Sequence, residues 1–299
     1  YLLSSNNLQT SNIDKVAIVN EVTSGLELSL VQRLHSFNIK DYIKEAHEYW
    51  YPKLYKHQKI EFLDVFKDKI VNSVYPEEIQ NNIIENGETI ESSKNLRIKI
   101  VKDALQRDAI DCHFIEHHFS HALYGLLFLP INSSKSLIFT ADSFGDYSNS
   151  NVFKINDGLI ENCFSSSVHN LGRLYRNITL LLGMKPYQHE YKVMGLAAYA
   201  DPKYAEDVKK IFEQYMYGFD KDWLFKKKPT DNYFEFKKQL EGFRFDNIAG
   251  GLQLYFEERL LDWFDYFLKN DLEHKTIIFS GGLSMNVKAN LRLEKLCQK

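Results

Sequence analysis

The residues with the most chemical potential sit in one short string, His117-His118-Phe119-Ser120-His121. His117 and His121 are four apart, and on a helix that spacing stacks two imidazoles on one face with Cβ atoms about 6 Å apart, close enough to share a divalent cation. Imidazole is a common ligand of iron, zinc and related ions. The plain alternative is a histidine-rich strand-to-helix junction with satisfied hydrogen bonds. Likeness to a zinc-peptidase HExxH helix is superficial, because His118 stands where such an enzyme needs its general-base glutamate. A second string, Asp142-Ser143-Phe144-Gly145-Asp146, follows a strand-like run and reads as a turn. It puts carboxylates at a strand's C-terminal end, where α/β ligand sites form, and Asp142 could complete a His-His-Asp cation site. Oxygen and imidazole donors together suit iron, zinc or manganese better than calcium. The alternative is a turn whose aspartates bond their own backbone.

Two further strings could meet a nucleotide. Thr276 to Ser280 (TIIFS) followed by Gly281-Gly282-Leu283-Ser284-Met285-Asn286 reads as strand, glycine turn and helix start. Without Cβ atoms a base, ribose or phosphate can approach the backbone, and helix N-terminal amides attract phosphate; a simple tight turn is the alternative. Near Met194-Gly195-Leu196, Lys192 can pair with a phosphate or with Glu190, the latter a surface ion pair of little consequence.

The elements that must position these residues are legible in outline. Val16 to Val19 reads as a buried strand, Cys112 to Glu116 as a strand that turns helical near Phe119 or Ser120, and Ser136 to Thr140 as another strand. Asn151 to Ile155 and Leu159 to Cys163 flank Asn156-Asp157-Gly158, a strong hairpin signal, so Ser136 to Cys163 is expected to be one antiparallel meander. Helices are expected over Glu45 to Val65, Pro76 to Glu85, Leu171 to Leu182, Glu190 to Tyr199, Pro202 to Tyr217, Asn247 to Leu268 and Asn286 to Leu296. Lys226-Lys227-Lys228-Pro229 reads as a solvated connector. The order of strand, meander, helices, strand and helix argues an α/β fold with a mixed sheet.

The 299 residues carry a formal charge of −3, so no field of one sign points to nucleic acid or an anionic membrane. The longest stretch free of charged residues, between Glu116 and Lys135, holds three histidines and Pro130 and is too polar to sit in hydrocarbon. No secretory signal is visible in the first thirteen residues, which makes a cytoplasmic protein the default. Cys112, Cys163 and Cys297 are far apart and odd in number, fitting core positions better than disulfides or a thiolate metal site. The opening Tyr1 and the uncapped final helix suggest a fragment.

Taken in order, HHFSHA, DSFGD, LGRLYRNITLLLG with HEYKVMGLAAY, DNIAGGLQLYFEE and FSGGLSMNVKAN resemble the carbamoyltransferase family that includes nodulation-factor and antibiotic O-carbamoyltransferases. The resemblance runs from about Asp14 to Leu296 and is loose before Cys112. It implies a TsaD-like N-terminal catalytic domain of the actin-like ATPase superfamily, with ribonuclease-H-like mixed sheets and flanking helices. It also implies an enzyme in which a YrdC-like domain makes carbamoyl-adenylate from carbamoyl phosphate and ATP. The TsaD-like domain then passes the carbamoyl group to a hydroxyl of a small acceptor, a sugar or natural product. Carried over by position, His117, His121 and Asp142 would bind a divalent metal, iron ahead of zinc or manganese. Gly145 and Asp146 would complete the phosphate-side turn, Gly281, Gly282 and Asn286 would hold the adenylate, and Lys192 would lie near its phosphate. Asp142, Asp146 and Lys192 are thus the expected catalytic groups.

Departures from the family pattern are also visible. Ser143 replaces a glycine of the DGxGD-like turn, and Tyr191 stands where many relatives carry glycine. The family's first strands and its YrdC-like domain are expected to lie outside residues 1–299, so this piece should lack adenylate synthesis. The expected mechanism is metal-assisted acyl transfer, in which the cation polarises the carbamoyl group or adenylate phosphate as a hydroxyl attacks. The rivals are a tRNA threonylcarbamoyl transferase or a sugar-kinase-like ATP-dependent enzyme on the same fold, and a non-catalytic nucleotide-binding module. The mildly acidic balance weighs against tRNA or other nucleic acid. No membrane partner is expected, and a homodimer is left open.

Overall fold

The computed structural model describes residues 9–22, 37–71, 77, 81, 90–127, 135–274 and 276–298. They fall into two compact units: residues up to Phe37 with Glu61–Ser120 and Gly145–Tyr147, and Asn38–Ile60 with His121–Phe144 and Ser148–Lys299.

In the first unit β1 (Lys15–Val19) pairs in parallel with β2 (Asp111–Ile115), in register from Lys15↔Asp111 to Val19↔Ile115. Parallel neighbours need a crossover, and α1 (Ile90–Leu105) lies in the intervening chain. Arg97 of α1 donates to the carbonyls of Asn20 (2.5 Å) and Glu21 (3.2 Å) and lies 4.6 Å over the Phe114 ring, fixing the exit of β1. At that exit Asn20 takes φ 73°, a left-handed conformation asparagine tolerates. The expectation that Val16–Val19 is buried is corrected: β1 alternates half-buried and exposed positions, and β2 is its only strand partner among the described residues.

The single helix expected over Glu45 to Val65 is three pieces. A π-helical stretch over Glu45–Trp50 passes into a short helix at Tyr51–Tyr55, and a new helix spans Phe62–Val71. Pro52 is tolerated because it sits in the first turn of its helix. His57, at φ 52°, ends that run, since a left-handed residue cannot continue a right-handed helix however well the apolar spacing carries on. The helix expected from Pro76 to Glu85 lies, apart from Glu77 and Asn81, outside the described residues.

One unbroken helix, α2 (His117–Leu127), runs through the boundary between the units, and its first turn belongs to the first. It starts at His117, earlier than the expected change near Phe119 or Ser120. The Glu116 carboxylate accepts the Phe119 N–H at 2.6 Å, and the Ser120 hydroxyl donates to the Glu116 carbonyl at 2.9 Å. Glu116 therefore caps the helix, satisfying an otherwise orphaned donor, while Ser120 lies inside it.

In the second unit β3 (Lys135–Gly145), β4 (Ser148–Asn156), β5 (Leu159–Ser166) and β8 (Thr276–Ser280) form a sheet of order β5-β4-β3-β8. β3 and β8 are parallel, from Ser136↔Thr276 to Thr140↔Ser280, and β4 and β5 are antiparallel. The expected hairpin closes at Asp157-Gly158, both at positive φ (49° and 86°), the primed turn that suits twisted strands. The DSFGD string is not a turn. β3 continues through Asp142, Ser143 and Phe144 to Gly145, and only Asp146, at φ 46°, leaves it. The pairing that carries Leu137 to Ala141 through the core thus keeps Asp142 in extended backbone at the strand's end.

The helices of this unit are α3 (Leu171–Leu181), α4 (Glu190–Leu196), α5 (Pro202–Glu213), α6 (Phe245–Asn270) and α7 (Val287–Cys297), with α6 meeting the sheet and α4, α5 and α7 packed on α6. Phe139 of β3 stacks on Phe264 of α6 with centroids 3.9 Å apart and meets the edge of Trp263 at 5.1 Å. Such buried aromatic pairs dominate core energetics. The helix expected to reach Tyr217 stops at Glu213, and Met216–Asp220 forms β6, paired with β7 (Asp222–Phe225). Burial of Met216, Gly218 and Phe219 and a 3.0 Å hydrogen bond from Tyr255 Oη to the Met216 carbonyl hold that strand against α6, tertiary contacts that outweigh local periodicity. The protein is a mixed α/β structure. The cysteines are not core residues: Cys112 is half-buried, and Cys163 and Cys297 are exposed. Among the described residues no helix is long and apolar enough to cross a membrane.

Candidate functional site

In the first unit a buried carboxylate organises the segment around His117. Asp146 accepts the backbone N–H groups of Glu21 (2.9 Å), Val22 (2.8 Å) and His117 (2.8 Å), tying the chain after β1 to the first residue of α2. These are charge-assisted bonds to otherwise orphaned donors, and they engage both carboxylate oxygens. The His117 Nδ1 lies 2.7 Å from Asn20 Oδ1. An amide oxygen only accepts, so Nδ1 is the donor in this contact, and in a neutral imidazole that arrangement leaves Nε2 as the atom able to bind a metal. Beside it Gly145 leaves the space that the His117 ring fills, since a Cβ there would overlap the imidazole. Gly145 is in extended backbone, so its role here is room and not a turn.

In the second unit three elements converge. His121, in the second turn of α2, has Nε2 3.0 Å from Asp142 Oδ2, both side chains being partly exposed. The Ser280 hydroxyl at the end of β8 donates to the His121 carbonyl at 2.8 Å. Gly281, at φ 92°, turns the chain against the Ala141 backbone, where any side chain would collide. A Cβ on Gly282 would stand 2.5 Å from Asp142 Oδ1. Gly172 of α3 lies as closely on Ser143, where a Cβ would be 2.7 Å from the Ser143 Cα. His121, Asp142, Gly281 and Gly282, distant in sequence, are therefore neighbours.

The remaining expected residues are held differently. Asn286 caps α7 by accepting the Ala289 N–H at 3.1 Å, and exchanges two amide hydrogen bonds with Gln253 (2.9 and 3.0 Å). Lys192 is exposed on α4 with its ammonium 5.8 Å over the Tyr191 ring. The Glu190 carboxylate accepts the Tyr187 N–H at 2.7 Å. Sequence reading missed Asn20 and Ser280. Asn20 is 97 positions from the histidine it orients, and no spacing rule links them; Ser280 was visible as the last residue of TIIFS, but its helix partner was not.

A family model described as the carbamoyltransferase N-terminus matches residues 4–298. The chain belongs to this family. Similar proteins include two uncharacterized proteins of Methanocaldococcus jannaschii. One, MJ1051, is 28% identical over 241 residues, covering 76% of this chain and 44% of its own length. The other, MJ1058, is 25% identical over 314 residues, covering 94% and 49%. Nodulation protein NolNO of Sinorhizobium fredii is 36% identical over 104 residues, 34% of this chain and 14% of that protein. The chain thus spans about half the length of the first two relatives. Carbamoyltransferase membership agrees with the resemblance read from the five ordered strings, and all five lie within the matched residues.

Proposed function

We propose that this carbamoyltransferase chain is the part that hands a carbamoyl group from carbamoyl-adenylate to a hydroxyl of a small acceptor. The adenylate itself would be made from carbamoyl phosphate and ATP. The fold in this reading is actin-like, and a sheet of order β5-β4-β3-β8 with β8 parallel to β3 supports a ribonuclease-H-like arrangement.

The single observation that carries the proposal is the His121–Asp142 pair at 3.0 Å against the Gly281-Gly282 turn. The donor set fits a divalent cation. Two imidazoles and a carboxylate suit iron, zinc or manganese, iron being our first choice. His117 would join from the preceding turn of the same helix, through the Nε2 that its Nδ1 contact with Asn20 leaves for a ligand. When bound, the cation supplies Lewis-acid polarisation and charge neutralisation worth several kcal/mol.

The chain's own groups do the rest. Gly281 and Gly282 let the adenylate approach the backbone, and Asn286 sets the helix start behind them. Asp142 holds His121 in orientation, and Lys192 offers a mobile charge for the phosphate. Asp146 and Gly145 act by fixing His117. The acceptor hydroxyl forms the new C–O bond to the carbamoyl carbon as the bond to the adenylate phosphate breaks; the hydroxyl proton leaves to solvent, and AMP departs.

The test is metal analysis of the full-length protein with His117→Ala, His121→Ala and Asp142→Ala, together with transfer assayed from carbamoyl phosphate and ATP. Loss of bound metal and of carbamoyl ester in all three supports the reading; unchanged metal and unchanged transfer overturn it. Phosphorylated acceptor or modified tRNA as the product would favour a different enzyme on the same fold.

A further inference from the structure

Beside Asp142 the second unit carries a pair of arginines that the transfer reading does not use. Arg173 and Arg176 are three apart on α3, so they are neighbours on one face of it. Arg173 is aimed by two contacts. Its Nε donates to the Ser143 carbonyl at 3.2 Å, and its guanidinium lies 5.1 Å over the Phe144 ring. Those partners are the two residues that follow Asp142 on β3. Arg176 is aimed by Tyr187: it donates to the phenol oxygen and lies 5.2 Å over the ring. Tyr187 is itself half exposed and sits at φ 64°, a conformation a bulky residue rarely adopts.

Two cations this close repel each other, although Tyr187 and Glu45 work against the desolvation of Arg176 and its pKa is raised. Among the described residues no carboxylate lies within ion-pair distance of either guanidinium; Glu45 acts on Arg176 only from further away. The pKa of Arg173 is lowered, first by desolvation and then by the charge of Arg176, with Tyr187 acting the other way. An exposed residue would ordinarily swing its head group into water. Here the backbone carbonyl, the two aromatic faces and the phenol hold both heads in place, leaving both terminal nitrogens of Arg173 without a hydrogen-bond partner among the described residues. That is the geometry of a planar fork waiting for an oxyanion.

We infer that Arg173, Arg176 and the Tyr187 hydroxyl form an oxyanion-binding site that takes a phosphate or carboxylate group of a molecule whose reacting part lies at Asp142. The site stands on its own geometry; it rests on the transfer reading only for what the bound molecule does next. Two owners share this chemistry: the nucleotide phosphate, or an acidic group on the hydroxyl-bearing acceptor, which would make the acceptor an acid.

The experiment is arginine modification of the full-length protein by phenylglyoxal, read peptide by peptide by mass spectrometry. Inorganic pyrophosphate, AMP and malate are the protecting probes. Pyrophosphate is expected to slow modification of Arg173 and Arg176 by about 10-fold, while Arg292, tied to Glu257 at 3.0 Å on α7, reacts at the same rate with or without it. Protection by AMP alone assigns the site to the nucleotide phosphate, and protection by malate assigns it to an acidic acceptor. Absence of protection by all three probes overturns the inference. The same measurement on Asp142→Asn separates the two proposals: protection that persists there, alongside unchanged metal content and transfer, would remove the metal reading and leave the anion site standing.

Discussion

Two aspartates four residues apart near the end of β3 are in opposite chemical situations. Asp146 is 5% exposed and accepts three backbone N–H bonds, so its charge is consumed in holding the chain. Asp142 is partly open, lies 3.0 Å from the His121 imidazole, and is overhung by a glycine with no side chain to cover it. Residue type does not separate the two. What separates them is burial and the kind of group each faces: Asp146 is closed in on backbone donors that hold the chain, whereas Asp142 stands partly open beside a side chain that can itself bind a ligand.

The sharpest way to break this comparison is to remove the charge from each in turn. Asp142→Asn is expected to lower carbamoyl transfer about 100-fold or more, with stability changed by less than about 1 kcal/mol. Asp146→Asn is expected to do the reverse, costing about 2–4 kcal/mol in chemical denaturation because buried N–H donors lose their anionic acceptor. Equal effects of the two on both readouts would show that they do not differ in kind.

Next in size are the glycines beside the histidine and the carboxylate. Gly282→Ala should displace the Asp142 carboxylate and reduce transfer about 10-fold or more with a small change in stability, whereas Gly145→Ala should force the His117 ring aside and cost about 1–3 kcal/mol as well. Thermal unfolding and steady-state rates on the same preparations distinguish them.

A third aspartate sharpens the point by pH. Asp271 is buried, 2.6 Å from the Lys154 ammonium and 2.7 Å from His274 Nδ1. Burial alone would raise its pKa, but the hydrogen bonds from Lys154 and His274 outweigh it and hold the carboxyl well below the usual range. A depressed folded-state pKa contributes stability that is present above the unfolded value of about 3.9 and is lost as pH falls towards the folded value. Asp271→Asn should therefore cost about 2 kcal/mol at pH 7, and the gap to wild type should narrow below about pH 4, as read by urea unfolding across pH. The smallest effect is expected for exposed Lys192→Ala: stability within about 0.5 kcal/mol, with any loss appearing as weaker AMP binding in calorimetry.

How much of this was legible without coordinates varies by residue. The i, i+4 histidine pair needed only helical periodicity, and α2 has it. The Asp157-Gly158 hairpin and the long helix of Asn247 to Leu268 were equally local, since a positive-φ dipeptide and a 3.6-residue apolar stripe act through neighbours in sequence. The strand over Met216–Asp220 was missed because its hold on α6 comes from Tyr255, 39 positions away from Met216. DSFGD was misread as a turn because glycine and aspartate favour turns locally, while pairing within the sheet keeps Asp142 to Gly145 extended.

The sequence by itself determined the chemical inventory, the family and the local elements, because residue type, short spacing and ordered motifs act without reference to the rest of the chain. Only the tertiary structure decided that Asn20 orients His117, that Gly282 overhangs Asp142, and that Asp146 is buried on backbone donors while Asp142 is partly open beside His121. Those are contacts between segments up to about 140 residues apart, fixed by which strands pair and which helices cover them, and a carboxylate's burial and neighbours are properties of that packing and not of any one residue.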